Sequence, residues 1–572
     1  MPRLMIGNEA VALGALDAGV LLVSSYPGTP STEITEFAAK DTSRHVEWAP
    51  NEKVAAEVAV GASIGGARAM CCMKHVGLNV AADPVFTAAY TGVSGGLVIV
   101  VADDPGMHSS QNEQDSRYYA LSAHIPMLEP SDSQECYDYC RLAFDISEQY
   151  DTPVFLRLTT RIAHSQSLVQ RRDALEPRRI PYQKNTAKYT MMPAFARLRH
   201  VQVEKREDRL RADCSESGIN TVIPGGRQGI ICSGAVFRYA KEAAPDASFL
   251  KLGMCYPLPD ELIKRFASQV DELIVAEELE PVIENHVRAL GLACRGKELF
   301  TVQGEYSAAM IAKALGRKTP DFDAAGDLPA RPPVLCPGCP HRAVFYTLSR
   351  MGLTVPGDIG CYTLGAAAPL NAIDCCVCMG AGVSMAHGMD RSGTVDASRT
   401  VAVIGDSTFL HSGITGLLNI VYNKGCSTVM ILDNSITGMT GHQQNPATGK
   451  DIRGQEAPAV NLEQLCRALG VRDVVTVDPF DMKALRECIK GALSRREPSV
   501  IIAKHPCALL SKEKHTPMRV TADCIGCKRC MGIACPALRF EDGHAAVDAS
   551  LCVGCSQCAS VCPKNAIVKE TL

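Results

Sequence analysis

The sequence predicts a multidomain α/β protein built from parallel sheets, with a small cysteine-rich module near its C-terminal end. Three observations predict it. Short apolar runs alternate with Ala-rich helical stretches over residues 1–165 and again from about 229 to 507, the pattern of strands joined by crossover helices. The length of 572 residues allows roughly four domains at about 150 residues each. Eight of the 26 cysteines crowd between Cys524 and Cys562.

Taken in order, the first segment has strand-like runs at Val20–Val23, Leu97–Val101 and Val154–Leu158, and an Ala-rich helix from Glu52 to Ala62. From Ser167 to Gly226 the composition turns to Arg, Lys, Glu and Gln, as in EKREDRLRAD. That stretch predicts a connector with at least one charged helix whose charged face is solvated. A second α/β segment carries strands at Gly229–Ser233, Phe249–Leu252 and Leu273–Glu277 and ends in the Pro-rich linker Leu328–Pro333. A third runs from Cys336 to about Cys507, with strands Thr400–Ile404, Thr428–Leu432 and Val500–Lys504. The tail from about Pro517 lacks apolar runs and needs a metal to hold it together.

Composition excludes several classes. Apolar residues are 46% and charged residues 21%, too apolar for a disordered chain. A net charge of −4 is wrong for a nucleic-acid partner. No apolar run reaches the ~20 residues that span a bilayer. The opening MPRLMIGNEA has neither an apolar segment nor a cleavage site, so no secretory signal is expected. The expectation is a cytoplasmic protein with no membrane attachment.

The tail reads Cys524-x2-Cys527-x2-Cys530-x4-Cys535-Pro536 and then Cys552-x2-Cys555-x2-Cys558-x3-Cys562-Pro563. Three thiolates at two-residue spacing wrap one corner of a cubane cluster, and the distant fourth closes the other cluster. The pattern assigns Cys524, Cys527, Cys530 and Cys562 to one [4Fe-4S] cluster and Cys552, Cys555, Cys558 and Cys535 to the second. Zinc also uses Cys-x2-Cys pairs, but the doubled eight-cysteine pattern argues against it. The module resembles a bacterial-type two-cluster ferredoxin domain.

Gly405-Asp406-Ser407 follows one apolar strand, and Asp433-Asn434 follows the next, 25 residues on. Strand ends on one edge of a parallel sheet converge on a ligand. Asp406, Asn434 and the carbonyl of Ile436 are hard oxygen donors suited to Mg2+, and Gly405 and Gly438 let backbone N–H groups approach a diphosphate. The stretch resembles the diphosphate-binding motif of thiamin enzymes, with Ser407 in place of its third-position Gly and Asp-Asn in place of Asn-Asn. A generic strand-end turn is the competing reading. Thiamin chemistry also needs a carboxylate against the aminopyrimidine ring, and Glu52 opens a helix after a polar turn. A first-turn Glu is equally a helix-dipole partner.

Tyr26-Pro27-Gly28-Thr29-Pro30-Ser31-Thr32, the Asn51-Glu52 helix start, the thiamin motif and the tail together resemble the 2-oxoacid:ferredoxin oxidoreductases. The strings MIGNEAVALGALDAG, EELEPVIENHV and CPGCPHR are similar to the alpha subunits of the indolepyruvate branch of that family, over nearly the whole chain. The resemblance implies a pyrimidine-binding thiamin domain over 1–175, a connector and transketolase-C-terminal-like domain over 176–330, a diphosphate-binding thiamin domain over 331–512 and the two-cluster domain over 513–572. It makes Glu52 the thiamin-activating acid and Thr29 a substrate or cofactor contact. It also implies a third cluster near thiamin diphosphate, for which this chain offers Cys336, Cys339, Cys361 and Cys507; buried thiols are the alternative.

The implied reaction is decarboxylation of an arylpyruvate, transfer of the acyl group to coenzyme A and passage of electrons to ferredoxin. A beta subunit and a symmetric assembly with two copies of each chain come with it. An aliphatic 2-oxoacid, a non-redox thiamin decarboxylase and an electron-transfer subunit with vestigial thiamin folds are the rivals. His75 and His442 are expected in Gly-flanked turns that could face the reacting carbons, although a lone His is more often structural. Trp48, the only tryptophan, is expected in the core. The fourteen cysteines outside these sets are expected to be small buried hydrophobes.

Overall fold

The computed structural model describes residues 2–319, 326, 328–329, 331–511 and 516–569. The chain forms two compact units, Met1–Ala324 and Ala325–Leu572. The expected domain boundaries at 330 and at 512–513, and Ala330 of the Pro-rich linker, lie outside the described residues.

The first unit holds a seven-stranded sheet in the order Met254–Tyr256, Met127–Leu128, Val154–Thr159, Leu97–Asp103, Ala69–Lys74, Leu22–Ser25, His45–Trp48. All neighbours are parallel except the Met254–Tyr256 edge. Its central strand Leu97–Asp103 is buried along its whole length, as helices on both faces of a parallel sheet require. The strand expected at Val20–Val23 runs two residues later, Leu22–Ser25. Its serines are buried because each has a partner: Ser24 donates to Glu47 (2.9 Å) and Ser25 accepts from Thr35 (2.7 Å). Trp48 is only partly buried.

The charged connector contains the 21-residue helix Pro193–Asp213. It is anchored as well as solvated, since buried Arg206 donates to the carbonyls of Asp151 (2.8 Å) and Ala89 (3.0 Å). A second sheet in this unit has the order Glu272–Ala276, Gln228–Ser233, Ser248–Leu252, Thr221–Ile223, the last strand antiparallel. A buried ion network joins the segments: Arg117 binds Asp115 (2.6 Å) and Glu277 (2.5 Å), and Arg157 binds Asp103 (2.7 Å) and Glu129 (2.5 Å).

The second unit holds a parallel sheet ordered Val401–Gly405, Thr428–Asp433, Ser499–Lys504, Asp473–Val477. Two apolar cores cover its faces, one around Phe345, Val403 and Ile501, the other around Phe409, Ile431 and Ile502. The tail has two short antiparallel pairs, Met518–Val520 with Ile567–Lys569 and Leu538–Glu541 with His544–Val547. Its core is six buried side chains, two of them Cys530 and Cys558. No helix among the described residues is long and apolar enough to cross a membrane.

Candidate functional site

In the first unit, four adjacent parallel strands end on one edge, and the segments that follow carry the candidate residues. Ser25 leads into Tyr26–Thr32, Trp48 into Asn51-Glu52, Lys74 into His75, and Asp103 into Asp104. Glu52 is the first residue of the helix Glu52–Ile64, whose Asn51 cap accepts from the N–H of Val54 (2.9 Å). The Glu52 side chain is 5% exposed. It lies against the start of the helix His75–Thr91, where a Cβ on Gly77 would stand 2.5 Å from Glu52 Oε1. Only glycine leaves that carboxylate its place.

Lys74 closes the same edge. Its Nζ donates to the Ser109 carbonyl (2.8 Å). Burial pushes its ammonium down to about 8 against the opposing charges of Asp104 and Glu52. Thr29 is half-buried, and its carbonyl accepts from the Ser109 hydroxyl (3.3 Å). His75 sits not in a turn but at the first position of a helix, fully buried. Its Nε2 faces the Asn112 carbonyl at 3.2 Å, and its Nδ1 is buried without a hydrogen-bond partner among the described residues. Burial lowers its pKa and favours the neutral ring.

The second unit builds its edge from Gly405-Asp406 and Asp433-Asn434. Asp433 pairs with Lys504 at 3.0 Å. Asp406 is 2% exposed, and burial, with the Asp433 charge second, pushes its carboxyl up to about 7. The end of the Asn434 amide lies 2.8 Å from the Ile436 carbonyl and 3.2 Å from Asp406 Oδ1. With the amide oxygen turned inward, it stands about one octahedral edge from each of the other two oxygens. That donor set fits Mg2+, which takes oxygen ligands at about 2.1 Å. With the amide nitrogen inward it donates to both instead. Ser407 accepts from Thr437 (3.0 Å), and Asn445 reaches Asp406 Oδ2 at 3.5 Å. Gly405 and Gly438 keep these turns open; a Cβ on Gly438 would be 3.5 Å from Cys361 Sγ.

Cys336, Cys339, Cys361 and Cys507 are electrostatic neighbours in this unit. Cys507 donates its N–H to the Asn434 carbonyl (2.9 Å), and its Sγ lies 4.0 Å from His442 Nε2. His442 is thus brought to a cysteine. Buried Asp358 receives the N–H groups of Ile359, Gly380 and Gly382, each at 2.8 Å, which fixes the loop that carries Cys361.

In the tail, Cys524, Cys527, Cys530 and Cys562 line one cavity. Cys535, Cys552, Cys555 and Cys558 line another. No three His, Cys, Asp or Glu side chains among the described residues converge as ligands of a single metal ion. Four sulfurs around each cavity suit a cubane cluster. Burial pushes the Cys558 thiol up to about 12. Of the fourteen other cysteines, eight are buried as expected. Cys294, Cys375, Cys376, Cys426 and Cys488 are only partly so and Cys378 is exposed, because loops and sheet margins carry most of them. Sequence reasoning missed Lys74, Gly77, Asp358 and Asn445, which are recognisable only by their neighbours; the strand-end position of Lys74 was the one available signal.

Comparison with known proteins gives three family matches along the chain. Residues 13–213 match the family "Pyruvate flavodoxin/ferredoxin oxidoreductase, thiamine diP-bdg", residues 358–503 the family "Thiamine pyrophosphate enzyme, C-terminal TPP binding domain", and residues 545–568 the "4Fe-4S binding domain". Fold and site define a thiamin-diphosphate-dependent oxidoreductase of 2-oxoacids with iron–sulfur electron transfer. Indolepyruvate oxidoreductase subunit IorA of Archaeoglobus fulgidus is 43% identical over 98% of this chain and 97% of its own length. The subunit of the same name from Pyrococcus horikoshii is 38% identical over 99% and 96%. The chain belongs to this family of IorA subunits. Among solved structures, a 2-oxoglutarate:ferredoxin oxidoreductase from Magnetococcus marinus is 18% identical, with 55% of this chain and 65% of that chain covered at a TM-score of 0.49.

Proposed function

We propose that the chain is the thiamin-bearing subunit of an enzyme that converts an arylpyruvate such as indolepyruvate, with coenzyme A, to CO2 and an arylacetyl-CoA. The acid R–CO–COO− and the thiol give the thioester, CO2, a proton and two electrons, which leave singly to two ferredoxins. One observation carries the reading: a strand-end Asp406, Asn434 and Ile436 oxygen set shares a chain with two four-cysteine cavities. Decarboxylation without oxidation needs no such exit, and a vestigial thiamin fold has no need of Glu52 and Asp406.

When bound, thiamin diphosphate supplies the electron sink that lets a 2-oxoacid lose CO2. Glu52 holds a proton at the aminopyrimidine ring, and its burial strengthens that hydrogen bond. Asp406, Asn434 and the Ile436 carbonyl would hold Mg2+ for the diphosphate, while Gly405, Ser407 and Gly438 shape the turns around it. Thr29 contacts substrate or cofactor. His75 lies buried beside this edge and acts by positioning the Asn112 loop, and His442 stands by Cys507. Cys336, Cys339, Cys361 and Cys507 would hold a third cluster, the set Cys535, Cys552, Cys555 and Cys558 a second and the set Cys524, Cys527, Cys530 and Cys562 a first, and such clusters would supply the one-electron chemistry. The aromatic preference rests on the name of the IorA relatives. The beta subunit, two copies of each chain, the cytoplasmic setting and the four-domain division remain parts of the same reading.

The test is co-expression with the partner subunit and anaerobic purification. About twelve iron atoms and one thiamin diphosphate per chain are expected for three cubane clusters; about eight would remove the third. Ferredoxin reduction dependent on coenzyme A should show a higher kcat/KM for indolepyruvate than for pyruvate or 2-oxoglutarate. A preference for either of those would overturn the arylpyruvate assignment. Glu52→Gln should lower kcat while thiamin diphosphate stays bound.

A further inference from the structure

Arg342 stands outside the roles above. It follows Cys336-x2-Cys339 by three residues, is the second residue of the helix His341–Met351 and is 1% exposed. Its Nε donates to the Cys336 carbonyl (2.9 Å), and its Nη1 donates to the carbonyls of Ile533 (3.2 Å) and Ala534. Its Nη2 is buried with no hydrogen-bond partner among the described residues. Every partner is a neutral carbonyl. Among the described residues, none of the ion pairs includes Arg342.

A buried guanidinium without a counter-ion is costly. The groups around Arg342 identify what offsets that cost. It lines the cavity of Cys535, Cys552, Cys555 and Cys558. Thiolates at Cys535, Cys339, Cys336 and Cys555 would each set a negative charge against it. The two cysteine sets meet here. Gln557 donates to the Cys339 carbonyl (3.1 Å), and a Cβ on Gly338 would stand 3.8 Å from the Cys555 Cβ. The other tail set has no buried cation: the cavity of Cys524, Cys527, Cys530 and Cys562 is lined by tail residues alone, and its two cations, Lys528 and Lys564, are both exposed.

We propose that Arg342 is the fixed positive charge shared by the Cys336/Cys339 site and the inner tail cluster, and that it raises their reduction potentials relative to the outer cluster. The inference rests on the reading that these cysteines hold iron–sulfur clusters. A cluster that gains one electron gains one negative charge, with no bond made or broken. An adjacent buried cation stabilises the reduced form, since cluster potential follows net charge, hydrogen bonding and exposure. Low local polarisability strengthens the effect. The orphaned Nη2 supplies a hydrogen-bond donor for a cluster or cysteine sulfur.

The test is an EPR-monitored redox titration of the holoenzyme with its partner subunit, comparing the unsubstituted protein with Arg342→Gln and Arg342→Lys. Arg342→Gln should shift the inner tail cluster's reduced-to-oxidised ratio at least tenfold toward the oxidised form, about 59 mV for one electron. The outer cluster should move far less, and Arg342→Lys should retain most of the original potential. An unshifted inner cluster with iron retained overturns the proposal. So does an equal shift of both tail clusters, or a Lys variant that behaves as the Gln variant. If Arg342→Gln loses iron, Arg342→Lys decides: iron and potential kept support a role for the charge, and iron lost shows a scaffold held by the guanidinium's shape. Iron content of the unsubstituted protein tests the cluster assignment separately, and fewer than about eight atoms sinks it whatever Arg342 does.

Discussion

The parallel-sheet domain and the tail of the second unit are held together by different means. The sheet domain encloses its strands between two apolar cores, and Val401, Ala402, Val403 and Ile404 are all fully buried. Its candidate donors stand on strand ends that hydrophobic burial has already fixed. The tail has six core side chains and short antiparallel pairs, too little to offset the entropy of ordering more than fifty residues. One domain therefore folds and then binds, whereas the other folds by binding.

The largest expected effect comes from removing iron. Anaerobic chelation should abolish amide protection across residues 516–569 and leave the strands Thr428–Asp433 and Ser499–Lys504 protected. Hydrogen exchange reads both at once, and a tail that stays protected without iron would break the contrast.

A cavity in the sheet domain should do the reverse. Ile431 is fully buried, and Ile431→Ala should cost about 2–5 kcal/mol in the thermal transition of that domain, with tail iron unchanged. Iron loss in that variant would show that the two parts fold as one.

Gly338→Val probes the seam between them. Gly338 has φ +74°, and a Cβ would meet Val553 Cγ2 at 2.5 Å. The overpacked, strained loop should cost about 1–3 kcal/mol and speed limited proteolysis of the tail ahead of any change in the sheet domain.

The smallest effect is a pH dependence. Folded Asp406 binds its proton up to about 7, against 3.8 ordinarily. Between those values the folded chain therefore holds a proton that the unfolded chain releases, and stability without cofactor falls as pH rises. Mg2+ and thiamin diphosphate must expel that proton, so their stabilisation should be greater at pH 7.5 than at pH 5.5. Thermal melts measure it. Equal shifts at both pH values would contradict the assignment, and Asp406→Asn should remove the difference.

Much of this was legible in the sequence because chemistry with fixed local spacing writes itself locally. The tail cysteines announce their chemistry by two-residue spacing, and Asp406 and Asn434 by their places after apolar strands. Glu52 was legible as a helix start. Other features depend on register or on distant segments. The strand Leu22–Ser25 runs past its apolar residues because partners across the sheet satisfy Ser24 and Ser25. His75 reads as a turn residue until the burial of its helix is seen. Cys375, Cys376 and Cys378 look like their buried counterparts but occupy a loop at the mouth of the helix Ala381–Ser392.

The sequence by itself determined the fold class, the strand-end donors and the doubled cysteine pattern, since periodicity and ligand spacing are properties of a chain a few turns long. Tertiary structure alone decided that Gly77 yields its space to Glu52, that Lys504 takes Asp433 and leaves Asp406, and that Arg342 meets the tail almost two hundred residues away. Such choices arise where segments remote in sequence are packed together, because burial forces each charge and each polar atom to find whatever partner the fold has brought within reach.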